Sequence, residues 1–186
     1  GYEIVATEGT CKVLREAGIA ALSAHDLTGY PEPLGGKVRA MHPAIYTGII
    51  ANELSDEQLR ELDASGAQIF PIELVVINLY PFRADMEEGV PFEEAASHID
   101  VGGSALLNAA ARNFMHTVAV CDPDDYDRVL CDLAAGVIAE DERKYLMYKA
   151  FAYTASYDAL VAQYLSYSLK IAFPKTLTVT YEKTQD

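Results

Sequence analysis

Nine consecutive residues, Gly35-Gly36-Lys37-Val38-Arg39-Ala40-Met41-His42-Pro43, combine two glycines, three side chains able to carry positive charge and a proline. Glycines let a backbone approach a ligand closely, and fixed cations beside them suit a phosphate or a carboxylate. The rest of the chain makes this clustering worth explaining, because 28 Asp and Glu stand against 14 Lys and Arg. An ordinary surface turn is the plain alternative. A second segment, Thr7-Glu8-Gly9-Thr10, sits between a strand-like and a helix-like run. A strand, a short Gly/Thr turn and a helix together aim free backbone N–H groups at an anion, although many such turns bind nothing. A third, Asn78-Leu79-Tyr80-Pro81-Phe82, follows the most apolar run of the chain. The carboxyl end of a strand is where open α/β sheets place their ligands.

These residues need elements to position them. Tyr2 to Ala6 reads as a strand. In the run from Cys11 to Ala17, Val13, Leu14 and Ala17 share a helical face, and Gly18 is placed to stop the helix. Leu22 to Tyr30 reads as polar and turn-like, and Gly29-Tyr30-Pro31-Glu32-Pro33 as a rigid loop. Ala44 to Ala51 fits a short helix or a strand. Ser55-Asp56-Glu57-Gln58 has capping-box spacing, which predicts a helix from Asp56 to about Ser65. Ile72 to Ile77 is near-continuously apolar and β-branched, the pattern of a central parallel strand buried on both faces.

Pro91 to Ile99 suggests a helix, interrupted at Asp100-Val101-Gly102-Gly103. Leu106, Leu107, Ala110 and Ala111 then make an apolar stripe in a helix over Ser104 to Arg112. Thr117 to Cys121 is the next strand, and Asp122 to Tyr126 opens a helix with acidic residues at its start. Asp141 to about Tyr167 is helical and rich in tyrosine, a packing or subunit-contact helix, and Thr176 to Tyr181 alternates like an edge strand. The order of strands and helices predicts a three-layer α/β domain.

Bulk properties narrow the function classes. A chain of 186 residues is one domain's worth, and 51% hydrophobic with 23% charged residues is ordinary for a soluble globular protein. A formal net charge of -14 argues against nucleic acid or an anionic membrane surface as the main partner. An anionic small substrate stays compatible, since the local potential of a cleft governs its binding. Cys11, Cys121 and Cys131 are odd in number and lack metal-ligand spacing, so they read as reduced thiols of a cytoplasmic protein rather than a disulfide framework or a zinc site. No apolar run has the length to span a bilayer as a helix. The abrupt opening on a strand suggests a natural N-terminal segment ahead of Gly1.

In combination, Ala6-Thr7-Glu8-Gly9-Thr10, Asp26-Leu27-Thr28-Gly29-Tyr30-Pro31-Glu32, Gly35 to Pro43, Asn78 to Phe82, and Asp100 to Gly103 leading to Ala110-Ala111-Arg112-Asn113 resemble one family. It is the IMP cyclohydrolase domain of the bifunctional AICAR transformylase/IMP cyclohydrolase proteins of purine biosynthesis, and the resemblance runs from Gly1 to Asp186. It implies a methylglyoxal-synthase-like fold, α/β/α in three layers with a mostly parallel sheet. It also implies dehydrative ring closure of formyl-AICAR to inosine monophosphate, without metal or organic cofactor, in a cytoplasmic homodimer. The positions matching the family's catalytic set are Arg39, Tyr80, Asp100 and Arg112. Those matching its substrate-binding segments are Thr7, Glu8, Gly9, Thr10, Lys37, Val38, Ala40, Ile77, Asn78, Val101 and Gly102. The residue types suit that chemistry: N–H donors and Lys37 for a monophosphate, Tyr80, Arg39 and backbone near Gly102 for an oxyanion, Asp100 to orient or deprotonate a carboxamide, and Asn78 to face the ring.

Each has a plainer reading as well. Tyr80 can simply pack, Asp100 can cap the helix from Gly102, His42 can bond a backbone carbonyl, and Arg112 can be a surface charge. The sequence also departs from the family. Arg39 and Arg112 stand where lysines are usual, and the second of those lysines is assigned the proton transfer. Arginine stays charged and is a poor acid or base, so proton transfer would fall to Asp100, Tyr80, His42 or water. Lys37 replaces an arginine and loses its bidentate fork, and Glu8 puts an anion where glycine is usual. The family's N-terminal strand is absent before Gly1, and the chain stops before the transformylase region, so formyl transfer would need a separate or fused partner. A non-catalytic nucleotide-binding effector module of the same fold is the alternative from another class; a lyase acting on a triose phosphate is a third, which Asn78 to Phe82 speaks against.

Overall fold

The structure, a computed structural model, describes residues 2–31, 38, 40–51, 55–65 and 71–172. In chain order its elements are β1 (Val5–Ala6), α1 (Glu8–Glu16), β2 (Leu22–Ser23), α2 (Ala24–Thr28), α3 (Pro43–Ile50), α4 (Asp56–Ser65), β3 (Leu74–Val76), α5 (Phe82–Glu88), α6 (Phe92–Ser97), α7 (Gly102–Arg112), β4 (Val118–Val120), a 3-10 turn (Pro123–Asp125), α8 (Tyr126–Ala135) and α9 (Glu140–Leu169). Two parallel strand pairs form. β1 lies on β2 in the register Val5↔Leu22 and Ala6↔Ser23. β3 lies on β4 in the register Leu74↔Val118, Val75↔Ala119 and Val76↔Val120. Parallel neighbours require a crossover, supplied by α1 for the first pair and by α5, α6 and α7 for the second. The architecture is therefore α/β, mostly helical with small parallel sheets.

β4 is the strand with a layer on each side. Val118 and Val120 face a cluster with Val129 of α8, Leu146 of α9 and Ile138 of the connection between those helices. Ala119 and Cys121 face the larger core of Ile45, Ile49, Leu79, Phe82, Leu106, Leu107, Ala110, Ala111, Ala150, Tyr157 and Val161. This alternation follows from the two-residue period of a strand. On α9, Ala150, Thr154, Tyr157 and Val161 are buried at helical spacing, so one long helix covers both halves of the core. Phe82, 1% exposed, meets Tyr157 and Tyr164 edge-on, and its burial contributes about 2–3 kcal/mol.

Several expectations change. β3 is not buried on both faces: Val76 is 47% exposed, and among the described residues β3 pairs with β4 alone. The strand expected over Tyr2 to Ala6 shortens to two residues, and α1 begins at Glu8, three residues ahead of Cys11, because Thr7 takes extended backbone at the N-cap. The stretch expected to be turn-like from Leu22 is a strand followed by a helix. Its cause is local: the Ser23 hydroxyl accepts from Asp26 N at 3.0 Å, and the Asp26 carboxylate accepts from Ser23 N at 2.9 Å, a capping box. Gly29, with φ 65, closes that helix in the left-handed conformation. The capping box expected at Ser55 forms, with Gln58 Oε1 accepting from Ser55 N at 2.9 Å. Ala44 to Ala51 resolves as helix, and α5, which no sequence pattern announced, fills the gap before α6. The edge strand expected over Thr176 to Tyr181 lies outside the described residues.

Candidate functional site

The chain turns from β3 into a short loop whose side chains are locked one by one. Ile77 N donates to Val120 O at 2.9 Å, extending the strand pairing by a residue. Asn78 uses both ends of its amide: Nδ2 donates to Cys121 O at 3.0 Å, and Oδ1 accepts from the Tyr126 hydroxyl at 2.9 Å. Next to Cys121, the Lys149 ammonium lies 2.6 Å from both Asp122 and Asp125 carboxylates. That contact holds the Asp122 carboxyl below the ordinary carboxylate range and, despite burial, keeps Lys149 more firmly protonated than usual.

Asp100 sits at the centre of the junction between this loop and α7. Its Oδ1 accepts from Gly103 N at 2.8 Å and its Oδ2 from Tyr80 N at 3.3 Å. One carboxylate thus caps α7 and pins the loop after β3, where the negative charge also suits a helix N-terminus. Gly103 permits the approach: a Cβ there would lie 2.8 Å from Leu79 Cδ2 and 2.9 Å from Asp100 Oδ1. From below, two hydroxyls of α9 support the junction. The Tyr153 hydroxyl accepts from Leu79 N at 3.1 Å, and the Tyr157 hydroxyl accepts from Asp100 N at 2.9 Å. Burial is the main cause that raises the Tyr157 phenol above its ordinary value, so it stays a neutral partner.

Tyr80 points its ring along α5 and α6. Its hydroxyl donates to Asp85 Oδ1 at 2.9 Å, and its ring lies 4.9 Å from that of His98. The bond to Asp85, more than burial or the neighbouring Glu88 and Glu94, pushes the phenol's proton affinity up. With its one proton given to Asp85, Tyr80 has none for a developing oxyanion. The role of oxyanion donor expected for it is therefore not the one its geometry offers.

The loop before α3 reaches the same place. Met41 N donates to Val38 O at 2.7 Å and His42 N to Ala40 O at 2.9 Å, a tight turn that carries Val38 and Ala40. Met41 Cγ lies 3.6 Å from the position a Cβ on Gly102 would take, so this turn abuts the start of α7 and Val101. His42 does not bond a carbonyl through Nδ1; that nitrogen accepts from Ala44 N at 3.2 Å and caps α3. Lys37 and Arg39 lie outside the described residues.

Thr7, Glu8, Gly9 and Thr10 form the β1–α1 turn. Thr7 is the N-cap, yet its side chain makes no capping bond, which leaves the first-turn N–H groups of α1 without that partner. Glu8, Gly9 and Thr10 are exposed. The turn's ties are short-range: the Cys11 thiol donates to Leu22 O at 3.1 Å, and the Arg15 guanidinium donates to Ala21 O at 2.8 and 3.0 Å.

The structure thus brings Ile77, Asn78, Tyr80, Asp100, Val101 and Gly102 to one junction, with Val38 and Ala40 on the turn beside it. Arg112 does not join them. It is exposed at the far end of α7, about 15 Å along the helix axis from Gly102. Residues that the sequence reading passed over are Asp85, His98, Tyr126, Tyr153 and Tyr157. The two α9 tyrosines share a face at i and i+4, a spacing that was legible, but their targets are backbone groups more than fifty residues away in sequence.

Comparison with known proteins sets this geometry in a family. A family model described as AICARFT/IMPCHase bienzyme matches residues 110–186, and one described as MGS-like domain matches residues 1–105. The chain is 42% identical over 186 residues to the bifunctional purine biosynthesis protein PurH of Oenococcus oeni, covering 100% of this chain and 36% of that protein. It is 44% identical over 186 residues to the protein of the same name from Halalkalibacterium halodurans, covering 99% of this chain and 36% of that protein. The chain thus spans 36% of the length of these curated relatives. Among solved structures, the one titled crystal structure of ForH matches with a TM-score of 0.71 and 38% identity, covering 87% of this chain and 84% of that one.

Proposed function

The chain belongs to the AICARFT/IMPCHase bienzyme family and carries its MGS-like domain over residues 1–105, and on that premise we propose that it acts in purine biosynthesis as the IMP cyclohydrolase unit. The observation that supports this reading most is the Asp100 junction, a carboxylate fixed at the N-terminus of α7 and at the carboxyl end of β3, beside Asn78 and the Met41 turn. Ring closure of formyl-AICAR needs the carboxamide nitrogen held against the formyl carbon. A new N–C bond forms as the formyl C=O opens, the formyl oxygen gains the proton that the carboxamide nitrogen loses and becomes a hydroxyl on a tetrahedral carbon, and that hydroxyl leaves as water with the proton of the formamido nitrogen. In this reading Asp100 aligns the carboxamide N–H, and the first-turn N–H groups of α7 other than that of Gly103, which Asp100 holds, face the oxygen where charge develops. The N–H groups of the β1–α1 turn, with Lys37, receive the monophosphate. Arg39 is assigned a role here from its family position alone, while Arg112 would act only from a distance.

The domain, in this proposal, extends over residues 1–186, and the transformylase activity resides in sequence outside it, fused or separate. A homodimer in the cytoplasm is proposed from the family. No helix among the described residues is long and apolar enough to cross a membrane.

One observation favours the rival reading of a nucleotide-binding effector module. Both side chains best placed for proton transfer are already engaged, Asp100 as a helix cap and Tyr80 with Asp85. The test is incubation of the protein with formyl-AICAR, following inosine monophosphate by its ultraviolet absorbance, beside an Asp100→Asn variant. Asparagine offers one acceptor oxygen where the carboxylate offers two, so Gly103 N or Tyr80 N loses its partner and stability should fall by about 1–2 kcal/mol, while turnover should drop at least about a hundredfold. A wild-type protein that binds inosine monophosphate and forms none would establish the effector reading instead.

A further inference from the structure

Two carboxylates outside the Asp100 junction are buried, Asp125, which pairs with Lys149 and Arg128, and Asp85, whose partners are Tyr80 and His98. Asp85, on α5, is 5% exposed. A carboxylate in that setting needs a donor for each oxygen, and it has them from two different segments. Oδ1 accepts from the Tyr80 hydroxyl at 2.9 Å and Oδ2 lies 2.7 Å from His98 Nδ1. Facing an ionised Asp85, Nδ1 of His98 must carry the proton, because a bare lone pair would confront another. His98 itself is fixed as the C-cap residue of α6, and its ring contacts the Tyr80 ring.

We propose that Asp85 and His98 are positioning residues that fix the direction of the Tyr80 hydroxyl bond, so that Tyr80 meets a bound purine precursor as a hydrogen-bond acceptor. The argument is one of proton inventory. A phenol has a single O–H, and here it is directed inward to a buried carboxylate whose other oxygen is already served. Turning that proton toward a ligand would leave Asp85 Oδ1 buried without a donor. What Tyr80 offers outward is therefore a lone pair, which suits an N–H of the substrate, such as the carboxamide, and does not suit an oxyanion. The backbone N–H groups at the start of α7 that Asp100 does not hold, those of Gly102 and Ser104, are left as the oxyanion donors. The substrate-facing half of this proposal rests on the cyclohydrolase reading; the direction of the bond does not.

Two measurements on the full chain separate these halves. In the first, tyrosine labelled with carbon-13 at Cζ reports phenol ionisation by NMR, the Tyr80 signal being identified by its loss in Tyr80→Phe. Tyr80 should stay neutral to a higher pH than the exposed tyrosines, and Asp85→Asn should let it ionise nearer to the usual value of about 10. Identical ionisation of Tyr80 in the wild type and in Asp85→Asn would overturn the clamp, whatever the turnover. In the second, a double-mutant cycle is read in kcat. Asp85→Asn should lower kcat about tenfold, the weight of one hydrogen bond, with KM within about twofold, and should add nothing in a Tyr80→Phe background. His98→Asn, which keeps a donor near the Nδ1 position, should retain activity that His98→Leu loses. An equal drop for Asp85→Asn in both backgrounds would mean a general structural role and reject the positioning claim. A wild type with no turnover would reject the substrate-facing half, leaving the NMR result to decide the clamp.

Discussion

Around the β1–α1 turn, Glu8, Gly9 and Thr10 lie open beside a two-stranded pair, with Thr7 half-buried, and the groups they offer a ligand are mainly backbone N–H. Around the β3–α7 junction, by contrast, Asn78, Tyr80 and Asp100 each spend their polar atoms on partners drawn from four other elements. The two regions also differ in support: the junction rests on buried Leu79, Phe82, Leu107 and Tyr157, whereas Cys11 is the one buried residue of α1. The contrast fits a division of labour. An anion can be held by N–H groups that need no exact side-chain geometry, while a reacting carbon needs groups fixed to a fraction of an ångström.

The comparison is broken most directly at Gly103. Alanine there would drive into Leu79 and the Asp100 carboxylate, so Gly103→Ala should lose about 3 kcal/mol in urea denaturation, from overpacking and a lost cap together. Retention of full stability would mean that the junction is far looser than its contacts. A smaller effect is expected at Tyr157→Phe, which leaves Asp100 N without its acceptor and should cost about 1–2 kcal/mol by the same measurement.

On the open side, Ser23→Ala removes one arm of the α2 capping box and should cost about 1 kcal/mol. That loss carries a pH signature. Asp26 is held below the ordinary carboxylate range first by Ser23 N–H and then by the Ser23 hydroxyl. A depressed folded-state value stabilises above the unfolded value of about 3.9 and the benefit fades as pH falls through the folded one. The gap between Ser23→Ala and wild type should therefore narrow in acid, as followed by circular dichroism during denaturation at several pH values. The smallest effect belongs to Gly9→Ala. No atom lies within 4 Å of the added Cβ, so the helix should gain about 0.5 kcal/mol. Its inosine monophosphate affinity, measured by calorimetry, should fall if the phosphate approaches that backbone. Unchanged affinity would place the anion elsewhere.

Legibility in the sequence followed the range of the interactions. The helix at Asp56, the stop after α1 and the apolar stripe of α7 come from neighbours within a few residues, and the chain states them. α2 was just as local: Ser23 and Asp26 had capping spacing that the turn-like composition around them obscured. β3 failed for a different reason. An apolar run reports that a strand prefers burial, but whether a second strand covers its other edge depends on the whole chain, and Val76 is exposed. In the site, the choice of Tyr80 and Asp100 came from their place in motifs, whereas what their polar atoms do came from Asp85, His98, Tyr153 and Tyr157.

By itself, the amino-acid sequence determined the alternation of strands and helices, the glycines that permit close approach, and the segments that mark a family. These are properties of adjacent residues and their spacing. Only the tertiary structure decided that Asp100 caps α7 while holding Tyr80 N, that Tyr80 gives its proton to Asp85, and that Arg112 stands a helix length away. The direction of a hydrogen bond and the distance between helix ends are set by how separate segments pack against one another, and no single segment contains that information.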